Sequence, residues 1–130
     1  MSTVVDASAL VQLLLRTPAS RVVAEAIATG DARAPALIGV EALSAIAGLE
    51  RRGVLDRDAA ARAASAARIA PISHVPDAQL LERAWSLRHN VTPYDALYVA
   101  LAEALGCPLL TADARLARGV EGVIAVTLLP

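Results

Sequence analysis

Residues 92–113, TPYDALYVALAEALGCPLLTAD, hold a helix, its stop, a strand and two acids in one unbroken run. Pro93 suits the first turn of a helix, where its missing N–H has no partner to lose. Apolar residues then recur as far as Leu105, and Gly106 ends the helix. Leu109 to Thr111 reads as a short strand. Asp113 follows it at once, and residues 113–118 read as a short helix. A helix that turns through a glycine into an apolar strand is the repeating unit of a parallel α/β sheet.

The same alternation extends in both directions. Residues 2–5 (STVV) read as a buried strand with Asp6 at its end, followed by a helix over 7–15. A turn at Thr17-Pro18 leads to a helix over about 19–29, which Gly30 stops. Residues 32–35 (ARAP) read as a short extended link. A strong helix over 36–52 ends at Gly53, and Asp56 caps another over 57–69. Residues 70–75 (APISHV) read as a strand between prolines, and Asp77 caps a helix over 78–89. Residues 123–128 (VIAVTL) make the last strand. Neither a repeat nor a low-complexity linker interrupts the chain. Its 130 residues, 56% of them hydrophobic, suffice for one core and one domain, residues 1–130. The expected fold is an α/β sandwich with a mainly parallel central sheet of about five strands between helices.

Composition removes several function classes. No apolar run reaches the ~18 residues of a membrane span. The N-terminus enters a strand pattern without a basic region and apolar stretch, so no secretory leader is expected and a cytoplasmic protein is. The single cysteine, Cys107, has no internal partner and reads as a buried small hydrophobe. All twelve basic residues are arginine, so chemistry that needs a lysine is absent. Coding bias accounts for most of that preference. Net charge is −1, which gives the whole molecule no general attraction for nucleic acid. Trp85, Tyr94 and Tyr98 are too few for an extended base-stacking platform.

The acids carry the chemical signal. In open parallel sheets ligands bind beyond the carboxyl ends of the strands. Asp6 and Asp113 each follow a strand directly, and Asp95 lies in the first turn of the helix that Pro93 starts. Each also has a structural use. Asp6 and Asp113 suit helix N-caps, and Asp95 completes the pattern Thr-x-x-Asp with Thr92. A cap and a metal ligand are compatible roles. Glu41 is different. It lies within LIGVEALSAIAGL (37–49), and its helical neighbours Leu37, Ile38, Ser44 and Ala45 include no arginine. A buried, unpaired carboxylate costs several kcal/mol, so a partner is expected from elsewhere, unless Glu41 is simply exposed.

Four carboxylates in one place raise one another's pKa values unless cations intervene. Mg²⁺ commonly takes one or two carboxylates and keeps several waters. A pair of such ions ~4 Å apart clamps the attacking and leaving oxygens of a phosphodiester. His74 and His89 both lie outside these segments and read as surface or core residues.

Taken together, VVDASAL (4–10), a Glu in an apolar helix at 41, TPYDALYVALAEALGCPLLTAD (92–113) and ARLAR (114–118) resemble the PIN-domain family. More narrowly, they resemble the VapC-type toxin ribonucleases of bacterial toxin–antitoxin pairs. The likeness covers the whole chain in order. It implies a Mg²⁺-dependent endoribonuclease, with Mn²⁺ as a substitute, that hydrolyses RNA phosphodiester bonds. It implies Asp6, Glu41, Asp95 and Asp113 as catalytic metal ligands. Ser8 and Thr111 would support the site, with local turn or cap hydrogen bonding as the alternative, and Arg115 would steady a phosphate or a carboxylate. It also implies a homodimer and a small antitoxin laid across apolar helices near the pocket. Leu10, Val11, Leu14, Leu15, Val22 and Val23 are the candidates for that surface, against the alternative that they are core.

Other classes fit less well. A receiver domain needs a lysine near its phosphorylated aspartate. An aspartate-nucleophile phosphatase wants a second Asp at position 8, where this chain has Ser8. A housekeeping PIN nuclease without an antitoxin stays open, as does a silent PIN-like binding protein, against which the four acids argue.

Overall fold

The computed structural model describes all 130 residues. Five strands form one sheet: β1 (Thr3–Val5), β2 (Ala32–Pro35), β3 (Ser73–Val75), β4 (Leu109–Thr111) and β5 (Val126–Leu128). Their order is β3-β2-β1-β4-β5, and every adjacent pair is parallel. The register sets Val4 beside Arg33 on one side and beside Leu109 on the other.

Seven α-helices connect the strands. They are α1 (Ala7–Leu14), α2 (Ser20–Ala28), α3 (Ile38–Arg51), α4 (Arg57–Ile69), α5 (Leu81–Ser86), α6 (Pro93–Leu105) and α7 (Ala114–Gly119). Helix α6 packs directly on β1, β2 and β4. Its residues Ala96 to Ala102 are all buried, so the helix is apolar on every side there and runs through the core. Val4, Val5 and Leu109 are fully enclosed beneath it. Helices α1 to α4 pack among themselves, and a small second cluster of Ile46, Ala60 and Ala63 joins α3 to α4.

All but one of the caps are those the sequence indicates; the exception is Asp77, whose side chain accepts the Leu37 N–H and caps no helix of its own. Asp6, Asp56 and Asp113 accept backbone N–H groups at the starts of α1, α4 and α7. Thr92 does the same for α6 with Pro93 at its first position, and Gly106 closes α6 at φ +62°. The differences lie at the edges. ARAP is a full strand, hydrogen-bonded to β1 and β3, where its composition suggests only a link. The expected strand over 70–75 shortens to Ser73–Val75, because Ala70 and Pro71 still lead out of α4. The expected helix over 78–89 begins as a 3₁₀ turn at Asp77–Leu80 and ends at Ser86. Cys107 is buried as expected, and His74 and His89 are exposed on the surface.

The strand order reverses at β1. From β1 the chain moves outward to β2 and β3, then returns to lay β4 on the other side. The crevice beyond the carboxyl ends of β1 and β4 is therefore the topological switch point, where an open α/β sheet binds its ligands.

Candidate functional site

Asp6 leaves β1 and Asp113 leaves β4, so both stand at that crevice. Glu41, from the first turn of α3, and Asp95, from the first turn of α6, face the same space. All four line one cleft of about 670 Å³, with Ser8 and Tyr98 beside them.

Asp6 is buried, at 4% exposure. Its Oδ1 accepts the Ala9 N–H at 2.9 Å and the Ser8 hydroxyl at 2.6 Å. Its Oδ2 accepts the Thr111 hydroxyl. Ser8 Oγ in turn accepts the Ala112 N–H at 2.9 Å, and Thr111 Oγ1 accepts the Asp113 N–H at 3.0 Å. Both hydroxyl protons go to Asp6, so the 3.2 Å approach of Ser8 to Thr111 is packing between acceptors. Ser8 and Thr111 thus staple the end of β1 to the end of β4 through one carboxylate. Three of the roughly four acceptor positions of that carboxylate are filled, which leaves one.

Glu41 finds the partner that its own helix lacks. The Tyr98 hydroxyl donates to its Oε1 at 2.6 Å. Tyr98 lies one helical turn beyond Asp95 on α6 and is 1% exposed. Its role is missing from the sequence reading; the i, i+3 spacing puts it on the face of α6 that carries Asp95 but does not reveal the contact with Glu41. Asp113 caps α7, accepting from the N–H groups of Arg115 and Leu116 at 2.9 and 3.2 Å. Thr92 Oγ1 accepts the Asp95 N–H at 3.2 Å, half of the expected reciprocal cap.

The electrostatics are those of crowded acids. Burial pushes the Asp6 carboxyl above its ordinary value, against the pull of its three hydrogen bonds, and the charge of Asp95 adds to the rise. Burial also raises Glu41; the Tyr98 hydrogen bond pulls it back, and the charges of Asp95, Asp6 and Asp77 push it up. Asp95 is raised by burial and then by Asp113, with Thr92 and Arg115 opposing. The Tyr98 hydroxyl is raised by burial and by Glu41, so it remains a donor. The three ion pairs of the chain are Arg21–Glu25, Arg33–Asp31 and Arg83–Glu103, and none involves these acids.

A cation from solution would relieve this crowding. Its carboxylates do not converge as a preformed cage of three or more ligands. The donor set fits a hard ion that takes one or two carboxylates directly and fills its other positions with water and phosphate. Softer ions that prefer thiolate or imidazole find neither here.

The remaining expectations are met unevenly. Arg115 is exposed on α7, with its charge near Asp95. Of the proposed docking residues, Leu10, Val11 and Val23 belong to the core. Leu14 and Leu15 are half-buried and line an adjoining apolar groove with Leu55 and Ile69, and Leu15 also borders the acid cleft. Val22 is exposed on α2.

The family model described as PIN domain matches residues 3–121. A curated VapC ribonuclease of Mycobacterium bovis, Mb0985, is 38% identical over 127 residues, covering 98% of each chain. Ribonuclease VapC1 of Mycobacterium tuberculosis is 43% identical over 122 residues, 88% of this chain and 87% of that one. Among solved structures, PAE2754 of Pyrobaculum aerophilum superposes with a TM-score of 0.68 at 27% identity. The match covers 97% of this chain and 83% of that one.

Proposed function

The chain belongs to the PIN-domain family, alongside the VapC ribonucleases, and from that premise we propose that it is a metal-dependent endoribonuclease acting as the toxin of a toxin–antitoxin pair. The observation that carries the reading is the cleft itself, lined by four carboxylates of which none forms an ion pair. Residues 1–130 are taken as a single such domain.

Asp6, Glu41, Asp95 and Asp113 are the proposed catalytic ligands, and Mg²⁺ is the proposed ion, with Mn²⁺ able to replace it. A bound divalent ion supplies charge neutralisation at the phosphate and acidifies the attacking water. The chain's own residues prepare the site. Ser8 and Thr111 fix the rotamer of Asp6 by holding both of its oxygens. Tyr98 fixes Glu41 against the core. Carboxylates held so firmly need no rearrangement when substrate arrives, which is how fixed dipoles and charges lower a barrier. Arg115, whose charge opposes the rise of Asp95, is the proposed contact for an incoming phosphate.

Purified protein is expected to cleave RNA with Mg²⁺ or Mn²⁺ and to stop in EDTA. Asp6→Asn and Asp95→Asn are each expected to abolish cleavage. Metal-independent cutting that survives both substitutions defeats the reading.

The toxin role adds two partners. A small antitoxin is expected to cover the cleft, with the Leu14–Leu15 groove as the adjoining apolar surface. A second copy of the chain is expected as well, and the exposed Leu81, Trp85 and Tyr94, gathered in one groove, are apolar surface that it would cover. The protein is read as acting in the cytoplasm, and no helix is long and apolar enough to cross a membrane. Induced expression should arrest growth, and co-expression of a short neighbouring reading frame should relieve it. Harmless expression of an enzyme shown to be active would speak for RNA processing without an antitoxin.

A further inference from the structure

The cleft that holds the acids does not end at them. It continues along α3 past Ser44, Ala45 and Gly48 to Arg51 and Arg52. Glu41 and Arg51 are ten residues apart on one helix, which is ~15 Å of axial rise. One trough therefore has a carboxylate cluster at one end and two guanidinium groups at the other.

Both guanidinium groups lean back over Gly48. A Cβ built there would lie 3.3 Å from Arg52 Nη1 and 3.6 Å from Arg51 Nη2. Both arginines are exposed, and neither forms an ion pair or a side-chain hydrogen bond. The favourable interaction of cations with a helix C-terminus explains basic residues at this end of α3. It does not explain why both fold into the cleft. Nor do they serve the acids: the charge that opposes the rise of Asp95 is that of Arg115, and no arginine acts on Asp6 or Glu41.

We propose that Arg51 and Arg52 grip the backbone of the RNA substrate at phosphates away from the cut, and so align the strand along α3. The inference rests on the ribonuclease reading of the same cleft. A polyanion entering it meets repulsion at the acids, and a net charge of −1 offers no compensating long-range attraction. Free arginine forks supply that attraction locally and bind phosphate with two parallel hydrogen bonds. With the guanidinium groups over Gly48, seven residues or ~10 Å along the axis from Glu41, they lie about three phosphates away at ~3.4 Å per stacked nucleotide, and fewer on a stretched strand. Arg51 and Arg52 are thus positioning residues.

The test is equilibrium binding of a fluorescein-labelled, mixed-sequence single-stranded RNA of about twelve nucleotides, in Ca²⁺, to the full chain at several salt concentrations. Arg51→Ala/Arg52→Ala should weaken binding on the order of tenfold at low salt. It should also lower the slope of log affinity against log salt by ~1.4, or ~0.7 for each lost phosphate contact. Arg51→Lys/Arg52→Lys should restore the slope, because it keeps the charges. In Mg²⁺ the alanine pair should raise KM far more than it lowers kcat. An unchanged salt slope in a folded alanine variant overturns the proposal, as does a fall in kcat with KM unmoved. Wild-type protein that binds RNA through these arginines and never cuts it would instead overturn the ribonuclease reading alone.

Discussion

Asp6 is at once a helix cap, a hydrogen-bond acceptor for two hydroxyls and a proposed ligand, and the three uses do not compete. The cap takes one lone pair of Oδ1, Ser8 takes the other, and Thr111 takes one of Oδ2. Removing the Thr111 hydroxyl should therefore leave the fold and impair the site. Thr111→Val frees Oδ2 and strips the Asp113 N–H of its acceptor. We expect a loss of ~10–100-fold in metal affinity or activity, with circular dichroism unchanged. The pH dependence at Asp95 follows from the direction of its shift. Its carboxyl is held above the ordinary value in the folded chain, so on titration the unfolded chain gives up that proton first. Without metal, the contribution of Asp95 to stability falls as pH rises from the unfolded value, ~3.9, through the folded one. Asp95→Asn should raise the Tm of metal-free protein at neutral pH, and the gain should shrink towards pH 4. A substitution that lowers Tm at neutral pH counts against this. At this scale Asp6 and Asp113 were legible because each follows a strand, and Glu41 because its helix offers it no partner. Tyr98 was not, because a tyrosine in an apolar helix reads as core until the tertiary contact with Glu41 is seen.

At the scale of elements, α6 joins core to site. Its first turn carries Asp95, its middle is buried on all sides, and its end turns through Gly106 into β4. Nothing lies within 4 Å of a Cβ built at Gly106, so the cost of Gly106→Ala is that of the left-handed backbone alone. It should be ~1–2 kcal/mol by denaturant unfolding. Leu109→Ala, at a fully buried position in β4, should cost more, ~2–5 kcal/mol, because it opens a cavity. Helices were legible here from their caps and glycine stops. Strand β2 was not. ARAP has no β-branched residue, and one polar position, Arg33, is too short an alternation to mark a strand; it is a strand because β1 and β3 pair with it on both sides. The 3₁₀ start before α5 was equally hidden, since Asp77 lends its side chain to the Leu37 N–H at 3.2 Å instead of capping its own helix.

For the whole molecule, local patterns gave parallel strands between helices, and they did not give the order β3-β2-β1-β4-β5. That order creates the crevice between β1 and β4 and draws in the helices that bear Glu41 and Asp95. Acids up to 107 positions apart in the chain thus come to share one cleft. We propose that this convergence exists to hold a divalent cation. Calorimetric titration of Mn²⁺ into the metal-free protein tests it most directly. We predict saturable binding by the wild-type chain, weakened at least ~10-fold in Asp6→Asn and in Asp95→Asn. Equal Mn²⁺ binding by the wild type and both folded variants, or none by any of the three, would contradict it.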